Sequence, residues 1–321
     1  MDKVVIKAPA HLHTGNFDLN GELGRLYGTV GFAVDIPIEV TVEKSEDVQA
    51  NEKWAKKYAK IFAERFDIGG VKVEVKSKIK PLVGLGYVTT VALAIGKAIS
   101  ELYKLNLSVE EIALAVKRGL ITAMGVYAFK NGGFIVEGGF RVGLREKMVP
   151  PLIFHGDVPE NWFFVIAIPE SSSGKIVEMR EKLEDEILFN LPKMPAEMAS
   201  ELSRLVLVKM IPAFIEKDLK TFGESLTAFN ARLGEFWSIY QKNRKYCDEV
   251  VEGCIDIMLK RSSCACQSSW GPTVYSIVEG REKARELSTD LKSFLEKSGG
   301  GDVFCVSANN RGAEVFKFGD R

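Results

Sequence analysis

Apolar and polar positions alternate along the start of the chain in two long runs, VVIKAPAHLHTG and GFAVDIPIEVTVEK. Strict alternation places the apolar side chains on one face, so both runs are predicted as half-buried β-strands. A helical spacing of apolar residues follows over residues 54–66, and a further strand is predicted at VKVEVKS. The first part of the chain therefore mixes strands with helices.

A glycine turn leads directly into an apolar helix at PLVGLGYVTTVALAIGKAISELY, residues 81–103. From Val91 the apolar residues recur at three- and four-residue steps, and Thr89 and Thr90 stand where such a helix would begin. Gly84 and Gly86 permit positive φ and let a ligand approach the backbone closely. Because the N-terminus of a helix binds anions, the turn is a candidate phosphate site, although a glycine turn that enters a helix is common and does not by itself indicate phosphate. A tight loop packed against a neighbouring element is the alternative.

The second part of the chain has a different order of elements. A capping box formed by Ser108 and Glu111 starts another helix, a glycine-rich strand GGFIVEGGFRVGL follows, and Pro150-Pro151 marks the expected boundary between domains 1–150 and 151–321. A strand WFFVIAIP, helices across 195–260, a strand near 271–277, a helix over 281–297 and a strand DVFCVSAN come next. Helices and strands that do not alternate strictly predict an α+β fold, and no GxGxxG follows the first strand.

Length, charge and cysteine content narrow the class of protein. A chain of 321 residues exceeds the usual size of one core, so two domains are expected. Lysine plus arginine (43) balances aspartate plus glutamate (43), which gives no overall field to attract nucleic acid or a membrane surface. With no apolar run of membrane-spanning length and no signal-peptide pattern, a cytoplasmic location is expected. The five cysteines form no zinc set and are predicted to be reduced.

Three other segments carry candidate chemistry. In HLHTGNFDLNGELGRLYG, His11 and His13 share a face and are either an acid–base pair, metal ligands or satisfied groove histidines, while Asp18 and Arg25 occupy a polar turn. In QSSWGPT, hydroxyls could bind an anion and Trp270 could stack on a flat ring, or the tryptophan only packs a turn. SSSGK, residues 171–175, lacks the spacing of a P-loop and is predicted as a polar loop.

Taken in order, five segments of the chain resemble one family along nearly its whole length: HLHTGNFDLNGELGRLYGTVGFAVD, PLVGLGYVTTVALAIGKA, KRGLITAMGVYAFKNGGFIVEGG, PESSSGKIVE and QSSWGPTVYSI. They are similar to the archaeal beta-ribofuranosylaminobenzene 5'-phosphate synthases of the GHMP kinase superfamily. The resemblance implies a two-domain GHMP kinase-like fold with the active cleft between the domains. It implies a transferase that condenses 5-phosphoribosyl 1-diphosphate with 4-aminobenzoate or 4-hydroxybenzoate and releases carbon dioxide and diphosphate.

The resemblance also assigns expected roles to residues. His13, Asp18 and Arg25 match the family's opening motifs and are expected to be catalytic, with no metal ligands among the protein's side chains. Mg2+ is expected to arrive with the substrate, and a homodimer is expected by analogy with the superfamily. The expected phosphate- and substrate-binding residues are Gly84, Leu85, Gly86, Thr89, Thr90, Arg118, Ser268, Ser269, Trp270 and Gly271.

The chain departs from the family pattern at anion-binding positions. Tyr87 and Val88 replace a Ser-Gly pair, Thr90 replaces glutamine, residues 121–125 replace RSGIG, and His11 replaces arginine. A buried anion that loses donors is costly, so three functions stay open: a synthase-like transferase, a small-molecule kinase, or a relative without catalysis. If Tyr87 and Val88 fill the space in front of the helix, no phosphate fits there.

Overall fold

The structure is a computed structural model, and it describes residues 2–174, 176–179 and 190–319. The alternating pattern at the start of the chain forms two long strands, β1 (Lys3–Asp18) and β2 (Arg25–Lys44), which pair antiparallel. Burial alternates from Lys3 to Ala8 and from Val34 to Glu43, as the period-2 pattern predicts, whereas residues 8–12 and 27–34 are buried on both faces.

The first sheet is built around this pair of strands. Its other strands are β3 (Gln49–Ala50), β4 (Val71–Ser77), β5 (Phe134–Glu137), β6 (Phe140–Arg141), β7 (Leu152–Gly156) and β12 (Glu314–Phe318). The order is β12, β1, β2, β4, β3, while β5 and β6 also pair with β2 and β7 pairs with β5. The long strand β2 therefore pairs with several strands along its length.

Helices of the first part pack on this sheet and on one another. They are α1 (Lys53–Phe66), α2 (Tyr87–Tyr103), α3 (Val109–Val116) and α4 (Met124–Lys130). The mainly apolar α2 lies against β1 and β2, with α1, α3 and α4 packed on its flanks. A helix that is apolar on nearly every side needs such an enclosed position. The predicted capping box of Ser108 and Glu111 starts α3.

The second part of the chain contributes a smaller antiparallel sheet and more helices. Strands β8 (Trp162–Pro169), β9 (Cys266–Gln267), β10 (Val274–Glu279) and β11 (Gly301–Ser307) have the order β11, β8, β10, β9. The helices are α5 (Ala196–Leu205), α6 (Ile211–Ile215), α7 (Leu219–Trp237), α8 (Glu249–Leu259) and α9 (Arg281–Lys297). Helix α7 contacts both β1 and β9, so it joins the two parts.

An aromatic cluster connects the two sheets. Phe32 of β2 lies 5.0 Å from Phe134 of β5, 5.2 Å from Phe164 of β8 and 6.0 Å from Phe222 of α7, measured between ring centroids. Each such pair contributes roughly 0.5 to 1.5 kcal/mol beyond the area it buries. The cavity described below is therefore formed between two parts that share a core.

Three features of the structure bear on the sequence predictions. The first sheet takes β7 and β12 from beyond residue 150, so the exact domain division stays a prediction while the α+β class is confirmed. Helix α2 begins at Tyr87, and the first hydrogen bond of the helix runs from the Thr90 N–H to the Gly86 carbonyl at 3.0 Å. Thr89 and Thr90 therefore lie inside the first turn. Residues 171–174 are helical instead of a polar loop, and Lys175 lies outside the described residues.

Candidate functional site

A cavity of about 560 Å³ lies where the two parts of the chain meet. One wall is formed by β1, the glycine turn and the N-terminus of α2; the other is formed by the end of α7 and the segment that follows β9. This volume is within the usual range for small-molecule sites. Seven of the predicted residues line it: His13, Gly84, Gly86, Thr89, Arg118, Ser269 and Trp270.

The middle of β1 reaches the glycine turn because its pairing with β2 is interrupted twice. The register shifts between Pro9 and Ala10 and again between His13 and Gly15. Between these irregularities the His11 N–H donates to the Leu85 carbonyl at 3.2 Å. Bulges commonly re-aim strands beside functional sites, and here they join the histidine segment to the turn.

Ser268 fastens three segments of the cavity wall together. Its hydroxyl donates to the Gly84 carbonyl at 2.6 Å and accepts from the His13 N–H at 3.0 Å. Nearby, the Thr273 hydroxyl donates to the Val83 carbonyl at 2.6 Å. Each bond contributes about 1 kcal/mol net, and together they fix the glycine turn against β1.

Gly86 is required at the start of α2 for two reasons. Its φ of 69° is left-handed, a conformation that glycine adopts at little cost. A Cβ at this position would also overlap the imidazole ring of His11, which is buried. The histidine ring therefore packs directly against the first turn of the helix, where a larger residue than glycine cannot fit.

The N-terminus of α2 opens into the cavity. Gly86, Tyr87, Val88 and Thr89 all line it, and no described side chain caps the helix. The Thr89 hydroxyl accepts hydrogen bonds from Arg118, at 3.1 Å from Nη2 and 3.3 Å from Nε. Unpaired helix N–H groups, the positive end of the helix dipole and a guanidinium thus face one space, which is an arrangement that binds phosphate.

Tyr87 and Val88 do not close this space. Their side chains are 7% and 4% exposed, and both still line the cavity. Burial, with a smaller effect of the Glu52 carboxylate, raises the pKa of Tyr87 to about 12, so its phenol is neutral at physiological pH. The two residues that replace the family's Ser-Gly pair therefore leave room in front of the helix.

Two tryptophans form the opposite side of the cavity. The rings of Trp237, at the end of α7, and Trp270 lie 4.7 Å apart between centroids at an angle of 61°. Trp270 is mostly buried, and Tyr240 packs on it from outside the lining. With His13 on the adjacent strand, this wall offers apolar faces to a flat ring.

The charged lining of the cavity is mostly positive. Glu146 is the carboxylate among the described lining residues, and it pairs with Lys117 at 3.6 Å. An excess of cations favours an anionic ligand. The cationic side chains are Lys57, Lys117, Arg118, Arg145 and Lys245. Of these cations, the sequence predicted Arg118 and not the other four. A lysine or arginine on a helix face or in a loop has no motif that separates it from a solvated surface charge.

Two of the residues predicted to be catalytic, Asp18 and Arg25, lie outside the cavity lining. The Asp18 carboxylate accepts from the N–H groups of Asn20 at 2.8 Å and Gly21 at 3.2 Å. The Arg25 guanidinium donates to the carbonyls of Gly138 at 2.8 Å and Gly139 at 2.7 Å. Both side chains hold the backbone near the turn between β1 and β2, and their catalytic role stays a prediction of the sequence.

Four predicted binding residues also lie behind the cavity wall. The Thr90 hydroxyl points to the Pro9 carbonyl at 3.5 Å, and the Gly271 N–H donates to the Ser268 carbonyl at 3.0 Å. Leu85 and Ser268 use the backbone and hydroxyl contacts described above, and neither lines the cavity. These residues lie behind the lining, and their contact with a ligand stays a prediction of the sequence.

Over the described part of the chain, no group of three or more His, Cys, Asp or Glu side chains is placed to hold a metal ion. No helix in that same part is long and apolar enough to cross a membrane. The five cysteines are free thiols, as predicted.

The class of protein follows from comparison of this fold with known families. Matches to the families described as GHMP kinases N terminal domain and GHMP kinases C terminal cover residues 53–133 and 210–297. The solved structure of a homoserine kinase from Cytophaga hutchinsonii superimposes with a TM-score of 0.70 at 17% identity and covers 98% of both chains, which shows the same fold. The fold is that of the GHMP kinases.

Closer relatives define the group within this class. A beta-ribofuranosylphenol 5'-phosphate synthase of Archaeoglobus fulgidus is 33% identical over 97% of this chain and 98% of its own length. The protein of the same name from Methanothermobacter thermautotrophicus is 31% identical over 98% of this chain and 99% of its own. The chain belongs to the beta-ribofuranosylphenol 5'-phosphate synthase family of the GHMP kinase superfamily.

Proposed function

We propose that this chain is an enzyme that condenses 5-phosphoribosyl 1-diphosphate with 4-hydroxybenzoate to give beta-ribofuranosylphenol 5'-phosphate. 4-Aminobenzoate is the alternative acceptor. The names of the near full-length relatives support the reaction. The observation that carries it in the structure is the open N-terminus of α2, which faces Arg118 and shares one cavity with the two tryptophans.

The proposed reaction exchanges one bond at the sugar for another. The bond between the ribose anomeric carbon and the diphosphate oxygen breaks, and the diphosphate leaves with the electron pair. The ring carbon that carries the carboxylate attacks the anomeric carbon. Loss of carbon dioxide then returns its bonding electrons to the ring and restores aromaticity. The site must therefore stabilise a leaving anion and orient a flat ring.

The helix terminus is proposed to stabilise the leaving diphosphate. Its N–H groups are fixed before the ligand arrives, because the glycine turn is held by Ser268 and Thr273. Preorganised donors of this kind stabilise developing charge without reorganisation during the reaction. Arg118 adds a positive charge on the same side, where its guanidinium already reaches Thr89.

The tryptophan wall is proposed to hold the aromatic acid. Trp237 and Trp270 present ring faces or edges to the cavity, and His13 lines it from β1. The His13 backbone is fixed on both sides, since its N–H binds Ser268 and its carbonyl accepts from the Ser269 N–H at 2.8 Å. His13 is therefore proposed to orient the acceptor, which retains its predicted place in the catalytic machinery.

Mg2+ is proposed to enter bound to the diphosphate, whose oxygens are the ligands that this ion prefers. Glu146 is the carboxylate among the described residues that line the cavity, so it is the side chain proposed to lie near the ion. The cytoplasmic location and the homodimer stay predictions of the sequence.

A kinase function is not favoured, because the relatives that cover nearly the whole chain are named synthases. The resemblance to a solved homoserine kinase at 17% identity concerns the fold alone. A relative that binds phosphate without turnover is the other alternative from the sequence, and the assay below separates it from both enzymes.

The test is to incubate the protein with Mg2+, 5-phosphoribosyl 1-diphosphate and carboxyl-labelled 4-hydroxybenzoate, and to follow diphosphate and labelled carbon dioxide. We expect both products in equal amounts. A parallel sample of the Gly86→Ala variant controls for contaminating enzymes. Neither product, together with ATP hydrolysis stimulated by a small alcohol, would instead establish a kinase; binding of substrate with no turnover would establish a non-catalytic relative.

A further inference from the structure

We propose that the Tyr87 hydroxyl is a hydrogen-bond donor to a phosphate group at the N-terminus of α2 and so helps to select a diphosphate-bearing substrate. The inference rests on one part of the proposed function, which is that a phosphorylated substrate enters this cavity. It assigns a binding role to a residue that replaces a serine of the family pattern and whose effect on phosphate binding the sequence leaves open.

The position of Tyr87 supports this role. It is the first residue of α2, it lines the cavity, and only 7% of it is exposed. Side chains of a helix tilt toward its N-terminus, so a residue in the first turn projects to the side where the helix N–H groups are open. Thr89 and Arg118 lie in the same lining, so a bound anion there would have donors on more than one side.

The hydroxyl of Tyr87 is not used within the protein. It makes no hydrogen bond to any residue in the described ranges, and it is not among the polar atoms that are sealed from solvent without a partner. Glu52, the nearby carboxylate, already accepts from the backbone N–H groups of Trp54 at 3.1 Å and Ala55 at 2.7 Å as the N-cap of α1. A mostly buried phenol without a protein partner, on a residue that lines a cavity, is suited to a ligand.

The protonation state of Tyr87 agrees with this use. Burial raises its pKa to about 12, and the Glu52 carboxylate acts in the same direction. The phenol therefore keeps its proton across the physiological range. A neutral O–H donates to a phosphate oxygen, whereas a phenolate would repel it.

Calorimetric titration with Mg2+ and inorganic diphosphate tests the proposal without turnover. We expect Tyr87→Phe to weaken diphosphate binding by about ten-fold, as expected for loss of a hydrogen bond to a charged group. The matched control is Tyr103→Phe at the other end of the same helix, whose hydroxyl donates to the Gly70 carbonyl at 3.1 Å. This control should bind diphosphate like the wild-type protein, and thermal unfolding of both variants checks that they are folded.

A second titration with 4-hydroxybenzoate alone identifies the anion that Tyr87 serves. Weaker binding of diphosphate with unchanged binding of 4-hydroxybenzoate supports the proposal. Equal diphosphate affinity in wild-type and Tyr87→Phe proteins would overturn it, as would loss of 4-hydroxybenzoate binding alone or a wild-type protein that binds no diphosphate. If Tyr87→Phe weakens diphosphate binding but the wild-type protein shows no turnover, the proposed function fails and this inference stands.

Discussion

The N-terminus of α2 and the turn between β1 and β2 are both glycine-rich and both match motifs of the family, but only the first reaches the cavity. At α2, the helix N–H groups, Thr89 and Arg118 face a shared space. At the β1–β2 turn, Asp18 and Arg25 bind their own backbone surroundings. Arginine and glycine therefore line a cavity in one region and hold the backbone in the other. The two regions differ in the hydrogen-bond partners of their polar side chains, and a sequence motif does not specify those partners.

The largest effect on activity is expected at Gly86. The Gly86→Ala variant must accommodate a Cβ that overlaps His11, in a left-handed conformation, and should lose roughly 100-fold or more in kcat/KM because the helix terminus is displaced. The matched control is Gly143→Ala, where φ is +82° but nothing lies within 4 Å of the added atom. Steady-state assays of both variants should show a loss at Gly86 alone. Equal losses would mean that backbone strain, not the His11 contact, is responsible.

The pH dependence of stability at Glu137 tests whether the region around the β1–β2 turn serves the fold. It lies at the end of β5, buried, with its carboxylate accepting from the Gly139 N–H at 2.7 Å beside the carbonyls that bind Arg25. Burial raises its pKa from 4.5 to about 7. The folded protein then holds the proton more tightly than the unfolded chain, so its stability contribution is full below about pH 4.5 and is lost as pH rises through about 7.

The pKa difference at Glu137 corresponds to a loss of about 3 kcal/mol in unfolding free energy between pH 4.5 and 8. Urea unfolding at a series of pH values should show this decline in the wild-type protein and a much flatter profile in Glu137→Gln. The exposed Glu74 on β4 provides a control, and Glu74→Gln should keep the wild-type profile. An unchanged profile in Glu137→Gln would show that this carboxyl is not the group responsible.

Arg118 should matter to ligand binding more than to folding. Arg118→Met should lower kcat/KM by roughly 10- to 100-fold, mainly through the KM for 5-phosphoribosyl 1-diphosphate, because a charged donor to phosphate is lost. Arg118→Lys should recover part of this, since lysine keeps the charge but not the planar pair of donors. The exposed Arg311 serves as a control for charge alone. A wild-type KM in Arg118→Met would remove this residue from the site.

Arg25 should show the reverse pattern with the smallest effect on activity. Arg25→Met leaves the carbonyls of Gly138 and Gly139 without this donor and should cost about 1 to 2 kcal/mol of unfolding free energy. The kcat/KM of the folded variant should stay within about two-fold of the wild-type value, because Arg25 does not line the cavity. A large loss of kcat with normal stability would instead support the catalytic role that the sequence predicts.

The sequence predicts the elements well where the periodicity is long. The alternation in β1 and β2, the capping box of α3 and the apolar pattern of α2 depend on local rules, and the structure follows them. The β12 strand was not expected, because its five residues pair with β1 from the far end of the chain. A short edge strand gains its stability from a distant partner and so has little local signal.

The site could be predicted only in part for a similar reason. The glycine turn and Trp270 carry residue types with distinctive chemistry, and both reach the cavity. Lys57 and Trp237 reach it because α1 packs on α2 while α7 packs on β1, and local sequence does not encode these tertiary contacts. In the opposite direction, Ser268 has the chemistry of an anion donor, but its hydroxyl is already bonded to Gly84 and His13.

A crystal structure of the protein with Mg2+ and diphosphate would show whether the N-terminus of α2 binds phosphate. We predict that a diphosphate oxygen lies within hydrogen-bond distance of the backbone N–H groups at the start of α2 and that the Arg118 guanidinium contacts the same ligand. Diphosphate bound elsewhere, with the space between Gly86 and Arg118 empty or filled by protein side chains, would contradict the account.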